Sequence, residues 1–163
     1  KLNKEENLFA ASTVVRASQI YSTVSGRIKT LDESFYQVFL ASDLAAQKLF
    51  ALVAAMAYDT LFFDFVYEVI REKLMIGNDQ LADSDIRVFF KNKQQQDGKV
   101  AGWTDATLVR LGRCYKTMLY EAGMLEKEKE NWTILRPILD SKIQHWLENH
   151  EMAAYVNALT GVR

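Results

Sequence analysis

Arg110, Arg113 and Lys116 recur every third residue, which places three cations together on one face of a helix. Cations in a row suit polyanions: arginine forks a phosphate through paired N–H donors, and lysine meets it as a point charge. Lys91, Lys93 and Lys99 precede them, and Thr104 and Thr107 stand where a helix would begin. Hydroxyls and free backbone N–H groups at a helix start are themselves natural phosphate ligands. From Arg87 to Lys116, seven basic residues face only Asp97 and Asp105, a net +5, whereas all 163 residues sum to −1. Such a concentrated field is the electrostatic footprint of a phosphate-binding surface, although a solvated helix face carries the same pattern. The candidate DNA-contacting set is therefore Lys91, Lys93, Lys99, Thr104, Thr107, Arg110, Arg113 and Lys116.

Other chemistry is poorly provided for. Cys114 is the only cysteine, so no disulfide forms within the chain, which fits a reducing compartment. With only His145 and His150 beside it, a Cys/His zinc set is out of reach, and a spacing of five turns the two histidines apart. Glu68 and Glu72 form an i, i+4 carboxylate pair, but Arg71 and Lys73 beside them point to surface ion pairing rather than acid–base work. Gly-rich phosphate loops, nucleophile elbows and Ser/His/Asp spacings are not found. The expectation is a non-enzyme without metal or cofactor. Trp103 and Trp132 suit core anchoring better than base stacking. Lys127 and Lys129 alternate with Glu126, Glu128 and Glu130, which suits a solvated turn with little phosphate affinity.

Period and punctuation supply the elements that would hold these residues. Apolar positions Leu8, Ala11, Val15, Ile20, Val24, Ile28 and Leu31 predict an amphipathic helix over 6–31, with Arg16, Arg27 and Lys29 off the stripe. A short helix is expected from Asp32 or Ser34 to Leu40, a third from a Ser42-Asp43 cap to Tyr58, and a fourth from Asp59-Thr60 to Met75. The last two are apolar nearly all round and must be central. Gly77-Asn78 stops the fourth, and Asp83-Ser84-Asp85 caps the next. IRVFFKNKQQQ, a turn DGKVAG, a helix from Asp105 to about Glu121 ended by Gly123, and a short strand from Asn131 to Leu135 then follow. That order outlines a winged helix-turn-helix. Pro137 reopens helical pattern through His150 to Leu159.

The fold class expected is all-α: a compact bundle of roughly seven helices with a winged helix-turn-helix-like segment and at most a small β-hairpin. One domain over 1–163 is expected, with a helical body at 1–77, the helix-turn-helix-like segment at 78–136 and C-terminal helices at 137–163. The longest apolar run, Leu49 to Tyr58, is ten residues, about half of what spans a bilayer, so a cytoplasmic protein without a membrane anchor is expected. A start at Lys1 rather than Met reads as a fragment or a processed chain.

The runs ENLFAASTVVRASQIYSTVSGRIKTL, FDFVYEVIREKL, DSDIRVFFKNK, WTDATLVRLGRCYKTMLYEAGML and ILRPIL, in this order, resemble the BrxA family of bacteriophage exclusion (BREX) phage-defence systems over nearly the whole chain. The resemblance implies an all-helical cytoplasmic protein that binds double-stranded DNA beside other BREX proteins, a methyltransferase and ATPases among them. It also implies further helices before the ENLF-like segment. Carried across, the family's basic surface falls on Lys91, Lys93, Thr104, Thr107, Arg110, Arg113 and Lys116. The leading expectation is a non-enzymatic DNA-binding defence component, monomeric alone. The alternatives are a helical protein-interaction scaffold within the defence complex and an RNA-binding helical bundle.

Overall fold

The computed structural model describes residues 6–162, over which the chain is mostly helical with one small sheet. In chain order the elements are α1 (Val14–Ile28), α2 (Phe35–Leu40), α3 (Leu44–Tyr58), α4 (Thr60–Ile76), α5 (Asp83–Gln96), α6 (Gly98–Ala101), α7 (Asp105–Glu121), the strands β1 (Leu125–Glu128) and β2 (Asn131–Ile134), α8 (Ser141–Asn149) and α9 (Ala153–Thr160). Nine helices among the described residues exceed the roughly seven expected, because a one-turn helix replaces the DGKVAG turn and the C-terminal segment divides in two.

Side-chain caps fix most helix starts. Asp43 accepts from Ala46 N–H (2.8 Å), Asp59 from Phe62 N–H (3.2 Å), Thr104 from Thr107 N–H (3.3 Å) and Asp140 from Lys142 N–H (2.7 Å). At α5, Asp85 reaches back to the N–H of Ala82 (2.8 Å), one half of a capping box. Two expected starts are corrected. Thr13 caps Arg16 N–H at 3.1 Å, so α1 begins at Val14 and not at Glu6, and Leu8 and Val15 are exposed rather than buried on a stripe. Pro137 lies in non-helical chain, and α8 starts only at Ser141.

Apolar α3 and α4 meet at a bend of 115° around Asp59 and form the centre of the molecule, where Val53, Met56, Phe62, Phe65, Val66 and Ile70 are wholly buried. Burying each such side chain contributes about 1.5–3 kcal/mol. Among the described residues, no single helix is long and apolar enough to cross a membrane. Within α4 the turn Val66–Ile70 is π-helical. Tyr115 of α7 enters this core, its ring 4.7 Å from that of Phe62, 5.5 Å from Phe65 and 5.9 Å from Phe90. The basic helix is thereby anchored to α4 and α5 through one aromatic cluster.

The sheet is an antiparallel hairpin pairing Leu125 with Ile134 and Glu128 with Asn131, closed by Lys129 at φ +56°. A small hairpin was expected with one strand at Asn131–Leu135; its other strand, over 125–128, lies where the alternating charges read as a solvated turn. Asp79 to Leu81, between α4 and α5, lies along the outer side of β2: Leu81 N–H donates to the Trp132 carbonyl (2.9 Å) and Ile134 N–H to that of Asp79 (2.6 Å). A body helix, a bridging segment, α5, α6, α7 and a hairpin are thus tied into one block.

Candidate nucleic-acid interface

Helix α7 divides sharply by side. Leu108, Tyr115 and Leu119 are buried, Leu111 and Met118 are partly so, and Val109, Arg110, Arg113 and Tyr120 are outward. Gly112 permits the packing that sets this orientation. A Cβ there would lie 2.7 Å from Ile86 Cγ2, so α5 and α7 cross more closely than any side chain at 112 allows. Beside the crossing is a cleft of about 130 Å³ bordered by Arg87, Val109, Arg113 and Lys116.

The eight expected contact residues separate into three groups. Arg110 and Arg113 on α7, Lys91 on α5 and Lys99 on α6 are exposed, and none has an ion-pair partner among the described residues. Thr104 and Thr107 join hydroxyl to hydroxyl at 3.1 Å at the start of α7, Thr104 exposed and Thr107 partly so. Lys116 and Lys93 are engaged internally. Lys116 Nζ donates to Asp83 Oδ1 at 2.8 Å and lies 5.2 Å over the Trp132 ring, with its side chain only 13% exposed. Its hydrogen bond, ahead of the opposing effect of burial and of the charges of Lys116, Arg87 and Arg113, holds the Asp83 carboxyl below the usual carboxylate range.

Lys93 faces away from the open surface. It sits on the buried side of α5 with Ile86, Phe89 and Phe90, and its ammonium donates to Asp64 (2.6 Å) and Glu68 (2.7 Å) on α4. Desolvation pushes its pKa down, but the two carboxylates outweigh that and raise it. The structure therefore removes Lys93 from the phosphate-facing set. Glu68 pairs with Lys93 rather than with its neighbours in sequence, Lys73 pairs with Asp85 across the helices (2.9 Å), and Arg71 lies over the Tyr67 ring at 4.4 Å.

Arg87 is the residue that the sequence reading counted in the charge but left out of the set. It is exposed, lines the same cleft as Arg113, and shares an i, i+4 face of α5 with Lys91. That spacing was the available signal. In the hairpin, Glu126, Lys127 and Glu128 are exposed, and Trp132 packs against the core with Lys127 Nζ 5.5 Å over its ring. Trp103 also packs against the core.

One cluster superficially suggests a nucleophile relay. Ser34 Oγ lies 3.1 Å from His150 Nε2 and Asp32 Oδ1 3.6 Å from the same nitrogen. Nδ1 donates to the Trp146 carbonyl at 2.7 Å, so the carboxylate and the hydroxyl share one side of the ring instead of bracketing it. Trp146 also donates its indole N–H to Ser34 Oγ (2.9 Å), and its ring stacks on His150 at 4.3 Å. The cluster fastens α8 to the start of α2.

Comparison with known proteins supplies the relationship. A family model described as BrxA matches residues 1–151. A BREX protein BrxA of Bacillus cereus (strain H3081.97) is 37% identical over 156 residues, covering 96% of this chain and 78% of the relative. A BREX protein BrxA of Escherichia coli O9:H4 (strain HS) is 22% identical over 120 residues, 74% of this chain and 56% of that protein. The crystal structure of an uncharacterized protein from Magnetospirillum magneticum shares the fold, with a TM-score of 0.81 at 16% identity over 98% of this chain and 81% of that one. On the family match and the 37% identity, the chain belongs to the BrxA family.

Proposed function

We propose that this chain is a non-enzymatic double-stranded DNA-binding component of a BREX phage-defence system, acting with other BREX proteins, and that its 78–136 segment serves as a winged helix-turn-helix. The relatives named as BREX proteins support the system. The observation carrying the DNA reading is that Arg110 and Arg113 stand one turn apart on the outward side of α7, without ion-pair partners among the described residues, with Arg87 across the cleft from Arg113. In this reading α7 enters the major groove and Arg110 and Arg113 reach phosphates and base edges, while Arg87, Lys91 and Lys99 grip the backbone and Thr104 and Thr107 offer hydroxyls to it. The hairpin, with its mixed charge, contributes little.

A face of about five free cations gives modest affinity with strong salt dependence, because each neutralised phosphate releases counterions. The test is fluorescence anisotropy of a labelled duplex across a salt series, with unlabelled duplex DNA or structured RNA as competitor. Binding that weakens steeply between low and physiological salt and is displaced by DNA in preference to RNA supports the proposal. Binding that RNA displaces better, or that ignores salt, overturns it.

A further inference from the structure

A second surface lies on the other side of α5. Successive residues of a helix are about 100° apart, so Arg87 is about 160° around α5 from both Asp85 and Phe89 and points away from the floor of a groove of about 500 Å³ between α4 and α5, while Lys91 lies nearer its Val88 rim. One wall is Glu68, Glu72 and Ile76 on α4; the other is Asp85, Val88 and Asn92 on α5, and Phe89 lies between. Both walls repeat at a helical period over about 12 Å, a little more than two turns.

The lining is amphipathic. Ile76 and Val88 are 76% and 57% exposed, unusual for branched apolar side chains facing one depression. The charge beside them is negative in balance. Lys73 is taken up by Asp85, Lys93 is shared between Asp64 and Glu68, and exposed Glu72 has no ion-pair partner among the described residues. Carboxylates repel phosphate, so this groove is unfit for nucleic acid.

We infer that the α4–α5 groove is a docking site for a basic amphipathic helix of a partner protein, two to three turns long, whose apolar residues at i, i+3 or i+4 meet Ile76, Val88 and the partly buried Val69 while its lysines or arginines meet Glu72 and Glu68. Charge complementarity selects this occupant. A second copy seated here through its own basic face would make a head-to-tail contact, in a ring or a filament, and would cover the cations proposed for DNA. A separate partner leaves both faces usable at once.

The probe is a fluorescein-labelled amphipathic peptide of about 18 residues built from leucine and lysine, with a leucine and glutamate peptide of the same pattern as control. Binding is read by anisotropy against the wild-type chain and an E72K/V88K variant, two exposed positions whose fold is checked by circular dichroism; amide shifts locate the bound peptide. The expected result is shifts confined to Glu68–Ile76 and Asp85–Asn92, at least about tenfold weaker binding to the variant, no binding of the glutamate peptide, and duplex-DNA affinity of the variant no lower than that of wild type, since its added lysines can only favour phosphate. Equal binding of both peptides, shifts elsewhere, equal affinity of variant and wild type, or a dimer of the wild-type chain that E72K/V88K dissociates overturns the inference. Because DNA affinity is measured separately, failure here is distinguishable from failure of the DNA reading.

Discussion

Lys116 Nζ and Asp83 Oδ1 meet at 2.8 Å where α7 passes the start of α5, so the third cation of the Arg110, Arg113, Lys116 row is neutralised on the surface that its neighbours leave open. Asp83 therefore sets a negative charge beside Arg87 and Arg113. Replacing it with asparagine keeps an acceptor for Lys116 and removes that charge. Asp83→Asn is expected to tighten duplex binding roughly two- to fivefold at low salt and to steepen the salt dependence, measured by anisotropy.

The same pair has a pH signature. The Asp83 carboxyl is held below its ordinary value of 3.8 in the fold, so its stabilising contribution is present above that value and is lost as pH falls through the lowered folded one. Acid unfolding of wild type and Asp83→Asn is expected to differ near neutrality and to converge as pH falls through the lowered folded value of Asp83.

At Gly112, alanine is expected to destabilise by about 1–3 kcal/mol, because its Cβ would meet Ile86 Cγ2 at 2.7 Å and force α5 and α7 apart. For a chain of this size, thermal unfolding should fall by roughly 2–4 °C per kcal/mol. DNA affinity should fall as well, since the crossing aligns Arg87 with Arg113.

Lys93→Ala separates an internal lysine from a phosphate ligand. The variant leaves Asp64 and Glu68 facing each other, and is expected to lose about 1–3 kcal/mol, less than for a fully buried pair because both carboxylates are more than a third exposed. Duplex affinity and its salt slope should stay at wild-type values. The stabilisation, from a raised lysine pKa, is present below the unfolded value of 10.5 and is lost as pH rises through the folded one.

Much of the architecture was legible because local chemistry decided it. Asp43, Asp59 and Thr104 announce helix starts, Gly77 and Gly123 announce stops, and the apolar α3 and α4 are central. The α1 start was misplaced because periodicity counts Leu8 and Ala11 as stripe residues whether or not the backbone there is helical, while the Thr13 hydroxyl ends the competition in favour of Val14. Lys93 entered the contact set beside Lys91 on charge and on the family resemblance, although its position three and four residues after Phe90 and Phe89 lies on the buried stripe. The bridge from Gln80 to Thr133 was beyond a linear reading, since it joins residues 53 apart through backbone pairing that no side-chain pattern encodes.

The most direct measurement is the salt dependence of duplex binding by wild type and the R110A/R113A variant, with circular dichroism confirming that both are folded. Arg110 and Arg113 are exposed, so their loss should spare the fold. The expected result is a log–log salt slope shallower by about two in the variant, with most of the low-salt affinity gone. An unchanged slope and affinity in a folded variant would contradict the assignment of DNA binding to the outward face of α7.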